Sequence, residues 1–201
     1  MKRPSLSLAG LLLASRAIAA PVGATAVIDR PLVKLDGEII WKSVADERVK
    51  RSMGQLDLRT VIEELVEEKL FLMRAAELKL TVEDSEIDEA LKDIKSENKL
   101  DDKQLDEALK QQGYTRQTYR VDLRDQILVL RAANLDLGSK VNVGDAEIAK
   151  VAADRKLKTP LSDADRTAIR RELYGLAMHK ARAEWVAERR KSIRIEIRAD
   201  K

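Results

Sequence analysis

Two helix starts and one helix stop are written in side-chain chemistry within the segment Leu100–Leu137, LDDKQLDEALKQQGYTRQTYRVDLRDQILVLRAANLDL. Asp101 suits an N-cap, because its carboxylate can accept from the free N–H groups of a first helical turn. Gln104, three residues on, can reach back to complete a capping box, and Leu100 with Leu105 can close a hydrophobic staple across it. Gly113 stops that helix, since the residue past a C-cap commonly takes a left-handed conformation that costs glycine nothing. Thr115 then caps a second, longer helix, and Tyr114 with Tyr119 repeats the staple. Along this long helix Tyr119, Leu123, Ile127 and Leu130 recur at the helical period, with Leu137 near its end and Gly138 closing it.

The rest of the chain fits around this helix–bend–helix. Leu32–Leu35 and Glu38–Trp41 flank Asp36-Gly37, a dipeptide that supplies the positive φ angles of a tight β-hairpin turn. Pro31 suits a strand beginning or an edge. Ser43 to Met53 forms a short helix stopped by Gly54. Asp57 to Leu80 has apolar residues on more than one face, from Leu58 to Ala76, so it is predicted to be surrounded by neighbours and to serve as the spine of the fold. The run Leu70-Phe71-Leu72-Met73 points in four directions, which predicts that at least one of them is poorly covered. Asp84 to Asn98 is narrowly amphipathic, with Ile87, Ala90, Leu91 and Ile94 on its stripe. A helix starting at Gly144-Asp145 runs to about Lys156. After a connector containing Pro160, Ser162 caps a last helix through Arg190, with Ile169, Leu173, Leu176, Ala183 and Val186 on one face. Ile193–Arg198 alternates strictly and reads as a half-buried strand. Residues 32–42 are its best partners, so the two ends of the mature chain are predicted to pair in one small antiparallel sheet closing a mainly helical body. Residues 25–201 are read as a single domain.

Charge narrows the function. The formal net charge of +3 invites a nucleic-acid reading. Lys2, Arg3 and Arg16 are the only charges in the first 24 residues, and the remainder carries 35 basic and 35 acidic groups. A phosphate binder keeps an excess of Lys and Arg, so this balance argues against one. Residues 1–24 read as a secretory signal, with a basic start, an apolar run from Leu6 to Ser15 and small-residue cleavage sites near 19–24. The mature protein is therefore expected to be soluble and exported, without an integral membrane span. Residues 83–109 carry eleven acidic groups against four lysines, and residues 166–201 carry eleven basic against five acidic. The basic end could balance the acidic middle within the fold.

Catalytic signals are sparse. Cysteine is absent and His179 is the one histidine, so neither a thiol nucleophile nor a Cys/His metal site can be assembled. No nucleophile elbow or phosphate-cradling glycine loop occurs. Glu63, Glu64, Glu67 and Glu68 read as the wet face of their helix. No enzyme activity and no cofactor are expected. Binding is the remaining reading: Phe71, Met73, Tyr114, Tyr119 and Met178 are adaptable or amphipathic side chains, and with Leu123 and Ile127 they are the candidate peptide-binding set.

The strings L-D-E-A-L-K-Q-Q-G-Y (105–114) and Y-R-x-x-L-R-x-Q-I (119–127) resemble the N-terminal domain of SurA-type periplasmic chaperones and, more loosely, the PpiD and PrsA foldases. The hairpin VKLDGEIIWKSV, the stretch LRTVIEELVEEKLFLMRAAELKLTVEDSEIDEAL and the closing ELYGLAMHKARAEWVAERRKSIRIEI extend the likeness over nearly the whole mature chain. The resemblance implies a helical chaperone core whose closing segment returns to the N-terminal part. Members of that family usually carry one or two parvulin-type prolyl isomerase domains before the closing helix. Only Lys156–Leu161 lies at that point here, far short of the roughly 100 residues of a typical domain. The expectation is an ATP-independent holdase for unfolded outer-membrane or secreted polypeptides, bound in an apolar groove. A dedicated secretion or assembly partner for one client, or a residual prolyl isomerase, is the alternative.

Overall fold

A computed structural model describes residues 29–198. The expected secretory signal lies outside the described residues. Strands β1 (Pro31–Leu35) and β2 (Glu38–Trp41) form the hairpin, and Asp36 and Gly37 take φ of 46° and 99° at its turn. Strand β3 (Ile195–Ile197) pairs antiparallel on the other side of β1, giving the order β2-β1-β3 with Val33 opposite Ile197 and Leu35 opposite Ile195. Two further backbone bonds lengthen this seam, Asp36 N–H to the Arg194 carbonyl and Arg198 N–H to the Leu32 carbonyl. The fold is mainly helical, closed by the three-stranded antiparallel sheet that the alternation at 193–198 predicts.

Seven helices lie between the strands: α1 (Lys42–Arg51), α2 (Leu58–Glu77), α3 (Asp84–Asn98), α4 (Asp102–Gln111), α5 (Arg116–Leu137), α6 (Asp145–Asp154) and α7 (Asp163–Ser192). Both caps of the bend form. Gln104 N–H donates to Asp101 and Asp101 N–H to Gln104, while Thr115 and Thr118 make the matching pair at the start of α5. Gly113 has a φ of 79°, and Tyr114 N–H bonds the Leu109 carbonyl at 2.8 Å, the long bond of a Schellman stop. Gly138 behaves differently from expectation: it is right-handed and carries α5 into a short 3-10 turn, Gly138–Lys140.

Three separate apolar cores hold these elements. The main core joins Leu32, Val33 and Leu35 of the sheet to α2, the C-terminal half of α5 and Val186 of α7. A second gathers Ile87 and Leu91 of α3, Leu105 and Leu109 of α4, and Leu123 of α5. A third is small, Ile148 and Ala152 of α6 against Ile169 of α7. The spine reading of α2 holds, with Val61, Leu65, Val66, Leu70, Phe71 and Ala75 all buried. Leu70 and Phe71 are buried in the main core and Met73 packs half-buried against it, while Leu72 is half-buried and joins none of the three cores, the least covered of the four-way run.

Helices α5 and α7 each run from a satellite core into the main one, and each changes its buried face on the way. On α5, Tyr119, Leu123 and Ile127 pack in the second core, whereas Leu128, Val129, Ala132 and Ala133 pack in the main core. Leu130 continues the first stripe beyond the end of the helices that cover it and is 57% exposed. On α7, Leu176 likewise continues the Ile169–Leu173 stripe past α6 and is 63% exposed, and Ala183 is exposed too. Periodicity alone places all three inside.

One knot ties α2, α5 and α7. Phe71 is fully buried and stacks on Trp185 with centroids 4.2 Å apart and planes 12° from parallel. Trp185 donates its indole N–H to Asp136 Oδ2 at 3.1 Å, and Arg74 grips the same carboxylate with Nε at 2.8 Å and a terminal nitrogen at 3.0 Å. Arg74 holds the Asp136 carboxyl below the usual carboxylate range against the opposing effect of burial, with Trp185 a lesser contributor. Phe71→Ala is expected to cost about 3–5 kcal/mol in urea unfolding, against less than about 0.5 kcal/mol for the overhanging Leu176→Ser. Because the folded carboxyl titrates below its unfolded value of about 3.9, its contribution is complete above that pH and is lost as pH falls through the folded value. Asp136→Asn should therefore destabilise by about 1–3 kcal/mol at pH 7, a difference that fades in unfolding curves taken below pH 4.

Candidate functional site

Helix α2 buries one side in the main core and turns Glu64, Glu67 and Glu68 outward, and α1, α5 and α7 pass along that acidic side. They leave a cleft of about 490 Å³. Arg48 of α1 closes one end, Arg182 of α7 another, and Gln126, Val129 and Leu130 of α5 form the facing wall. The overhang of the α5 stripe thus becomes the apolar wall of a hollow.

Two of the three glutamates are paired. Arg48 bonds Glu68 at 2.9 Å, and Arg182 reaches Glu67 through Nε at 2.9 Å and a terminal nitrogen at 2.7 Å. Arg182 also lies over the Phe71 ring, 4.9 Å from its centroid. Glu64 is exposed and has no hydrogen-bond or ion-pair partner among the described residues. Asp125, one turn before Val129, is half-buried. Loss of water and then repulsion from Glu68 and Asp122 push its carboxyl above the usual range, and Lys69 and Arg124 offset this only in part. The cleft therefore combines an open leucine, Leu130, with one carboxylate, Glu64, that no cation answers among the described residues.

The seven predicted site residues do not line this cleft or any single surface. Phe71 is sealed between Trp185 and Arg182, so no peptide reaches it in this conformation. Met73 and Met178 are half-buried against the main core. Leu123 is buried in the second core with Tyr114, Tyr119 and Ile127 half-buried around it. Tyr114 meets Tyr119 edge-on at 5.6 Å and lies under Arg51, 3.9 Å from its centroid. Burial first, and then its bond to Asp122, raise the Tyr114 hydroxyl above its ordinary pKa. The aromatic side chains are spent on joints between helices. Open apolar surface among the described residues comes instead from Val121, Leu130 and Leu135 of α5, Tyr174 and Leu176 of α7, and Trp41, Val44, Met53 and Ile197 elsewhere, none of which the candidate set contains.

Charge balance also differs from expectation. The acidic helices α3 and α4 are met by α5, not by the basic end of the chain: Arg116 bonds Asp106 and Asp102, Arg120 bonds Asp88, Arg124 bonds Asp84 and Arg131 bonds Glu86. Near the end of α7 the arginines instead pair with α2, Arg182 with Glu67, Arg189 with Glu77 and Arg190 with Glu63, while Arg166 and Arg170 near its start meet Asp145 of α6. Among the described residues no group of His, Cys, Asp and Glu is placed to hold a metal, and no helix is long and apolar enough to cross a membrane.

The described residues form a helical body clasped by a sheet that pairs the N-terminal hairpin with the last strand, with an open cleft beside α2. Comparison places it more closely. The family model described as the SurA N-terminal domain matches residues 17–133, and the chain belongs to that family. The match ends within α5, so α6, α7 and β3 lie beyond it. Chaperone SurA of Chromobacterium violaceum is 28% identical over 160 residues, covering 74% of this chain and 37% of that protein. Chaperone SurA of Ralstonia nicotianae is 36% identical over 91 residues, 45% of this chain and 18% of that protein. Foldase protein PrsA of Clostridium botulinum is 28% identical over 143 residues, 58% of this chain and 43% of that protein. The chain thus spans well under half the length of each.

Asp125 gives this stretch of α5 a measurable signature. A carboxyl whose folded pKa is raised destabilises the fold at neutral pH, and this cost is relieved as pH falls through that raised value. Asp125→Asn is accordingly expected to raise the unfolding midpoint at pH 7. The gain should shrink in acid and be gone below the unfolded pKa of about 3.9.

Proposed function

We propose that this protein is an ATP-independent periplasmic chaperone, a holdase that binds unfolded outer-membrane or secreted polypeptides on apolar surface left open between its helices. Residues 25–201 would act as one chaperone core once the N-terminal segment is removed on export. Membership of the SurA N-terminal domain family and the names of the relatives support the reading. The observation that carries it is the cleft with Leu130 on its wall, apolar surface that the fold does not consume. A second hollow of about 440 Å³, floored by Leu137, Ala177, Ala181 and Trp185, adds to that surface.

Binding rather than catalysis follows from the same features. The connector between α6 and α7, residues 155–162, leaves no room for a parvulin-sized domain of roughly 100 residues at the point where such domains usually enter. Weak contacts with several client segments suit a carrier that must release without fuel. Extended clients could also add a strand beside β3, whose outer edge pairs with no strand among the described residues.

The purified protein, mixed at equimolar to roughly tenfold excess with a urea-diluted β-barrel client, should suppress the rise in light scattering. Leu130→Ser should weaken the suppression while leaving the circular dichroism unchanged. Unchanged scattering at every ratio would count decisively against the holdase reading. A single stoichiometric partner recovered by the protein, in place of many clients, would favour a dedicated assembly role.

A further inference from the structure

Among the described residues the sheet ends at β3. Asp36 N–H donates to the Arg194 carbonyl and Arg198 N–H to the Leu32 carbonyl. These bonds make Leu35–Ile195 and Val33–Ile197 the non-hydrogen-bonded pairs of the seam and leave Lys34–Glu196 as the bonded pair. The N–H and C=O groups of Ile195 and Ile197 therefore point away from β1, to a side where no strand of the described residues meets them. Side chains alternate across the same edge. Ile195 and Ile197 lie on the face of Val33 and Leu35, and Ile197 at the rim of that apolar face is 51% exposed. Arg194, Glu196 and Arg198 lie on the other face. Arg194 bonds Glu196 at 2.6 Å, and Arg198 has no ion-pair partner among the described residues.

We propose that a second copy of this chain adds to the free edge of β3, antiparallel and centred on Ile197, so that Glu196 of each copy meets Arg198 of the other. The occupant is chosen by charge. Arg-Ile-Glu-Ile-Arg, residues 194–198, complements itself in this register: two carboxylates face two unclaimed guanidinium groups, and the half-exposed Ile197 is covered by its own counterpart. The neighbouring registers fail. Centring on Glu196 sets glutamate against glutamate and Arg194 against Arg198. Centring on Ile195 sets Ile197 against Ile193, which is buried in the main core at the end of α7. Edge strands are commonly guarded by lysine or proline, whereas the alternating signs here repel nothing when two copies meet. The opposite edge, on β2, carries charge only at Glu38, which Lys69 already holds. Because both copies use the same edge, assembly closes at two, with the strand order β2-β1-β3-β3-β1-β2. So short a seam makes a transient dimer, not a permanent one.

Sedimentation velocity on the purified chain, carrying no C-terminal tag, should give a weight-average coefficient that rises with concentration and levels at the dimer. Ile197→Pro removes only an outward N–H, so the seam with β1 is kept. It should leave the circular dichroism unchanged and the protein monomeric at every concentration. Glu196→Lys and Arg198→Glu each set like charges opposite one another and should each weaken the dimer about tenfold. Mixed in equal amounts, the two variants should recover it, because every charge then meets its opposite across the edge; a folding defect in either variant is not repaired by mixing. A dimer that survives Ile197→Pro, or a mixture no more associated than its parts, would overturn the proposal. Growth past the dimer would overturn the closed arrangement. A chain monomeric at all concentrations would overturn the proposal and leave the edge to client strands. The chaperone reading is tested separately by light scattering, and none of these outcomes decides it.

Discussion

The stack of Phe71 on Trp185, fastened by the shared carboxylate of Asp136, is the contact on which the rest of the molecule depends. It joins residues more than a hundred positions apart, and it is the point where α2, α5 and α7 meet. Without it α7 has little hold on the main core, since Val186 is its one fully buried residue there. The strand that follows α7 would then lose its approach to β1. Closure of the sheet and docking of α7 are two ends of the same linkage: the seam from Val33–Ile197 to Leu35–Ile195 fixes where α7 ends, and the stack fixes where it crosses α2.

From that centre the body extends as two satellites carried on long helices. Each satellite buries a stripe of its carrier, and each carrier then rotates a different face into the main core. The transition leaves Leu130 and Leu176 with the apolar pattern of core residues and nothing packed on them. Two small cores in place of one large one leave more apolar surface at the junctions, because surface grows relative to volume as a core is divided. Under the proposed chaperone reading, those junctions are where open apolar surface can be kept without loosening the main core.

Electrostatics acts here on registration more than on stability. Most of the arginine–carboxylate pairs are half-exposed, and pairs of that kind contribute at most about 1 kcal/mol each. Their regular assignment, α5 arginines to α3 and α4 and α7 arginines to α2, selects which helix faces meet. The exposed Leu130 on the wall of the cleft and the sealed Phe71 beneath Arg182 show that the surface chemistry of the cleft is set by aliphatic and charged groups, with the Phe71 and Trp185 rings stacked on each other.

The sequence by itself determined everything that local chemistry controls. The capping pairs Asp101–Gln104 and Thr115–Thr118, the left-handed stop at Gly113, the Asp36–Gly37 turn and the alternation of the last strand each act within a few residues, and each appears where it was written. Terminal pairing was legible because only one other stretch of the chain could receive that strand. The tertiary structure alone decided which apolar residues stay open. Tyr119 and Leu130 repeat with the same period on the same helix, yet one is packed and the other bare, because the covering helices α3 and α4 end between them. The same holds for Phe71, whose burial is completed by a tryptophan from the far end of the chain, and for Asp125, whose carboxyl is pushed up first by burial and then by Glu68 of another helix. Periodicity reports which face a helix would like to bury; the length of its neighbours reports how much of that face is covered, and no local pattern carries that length.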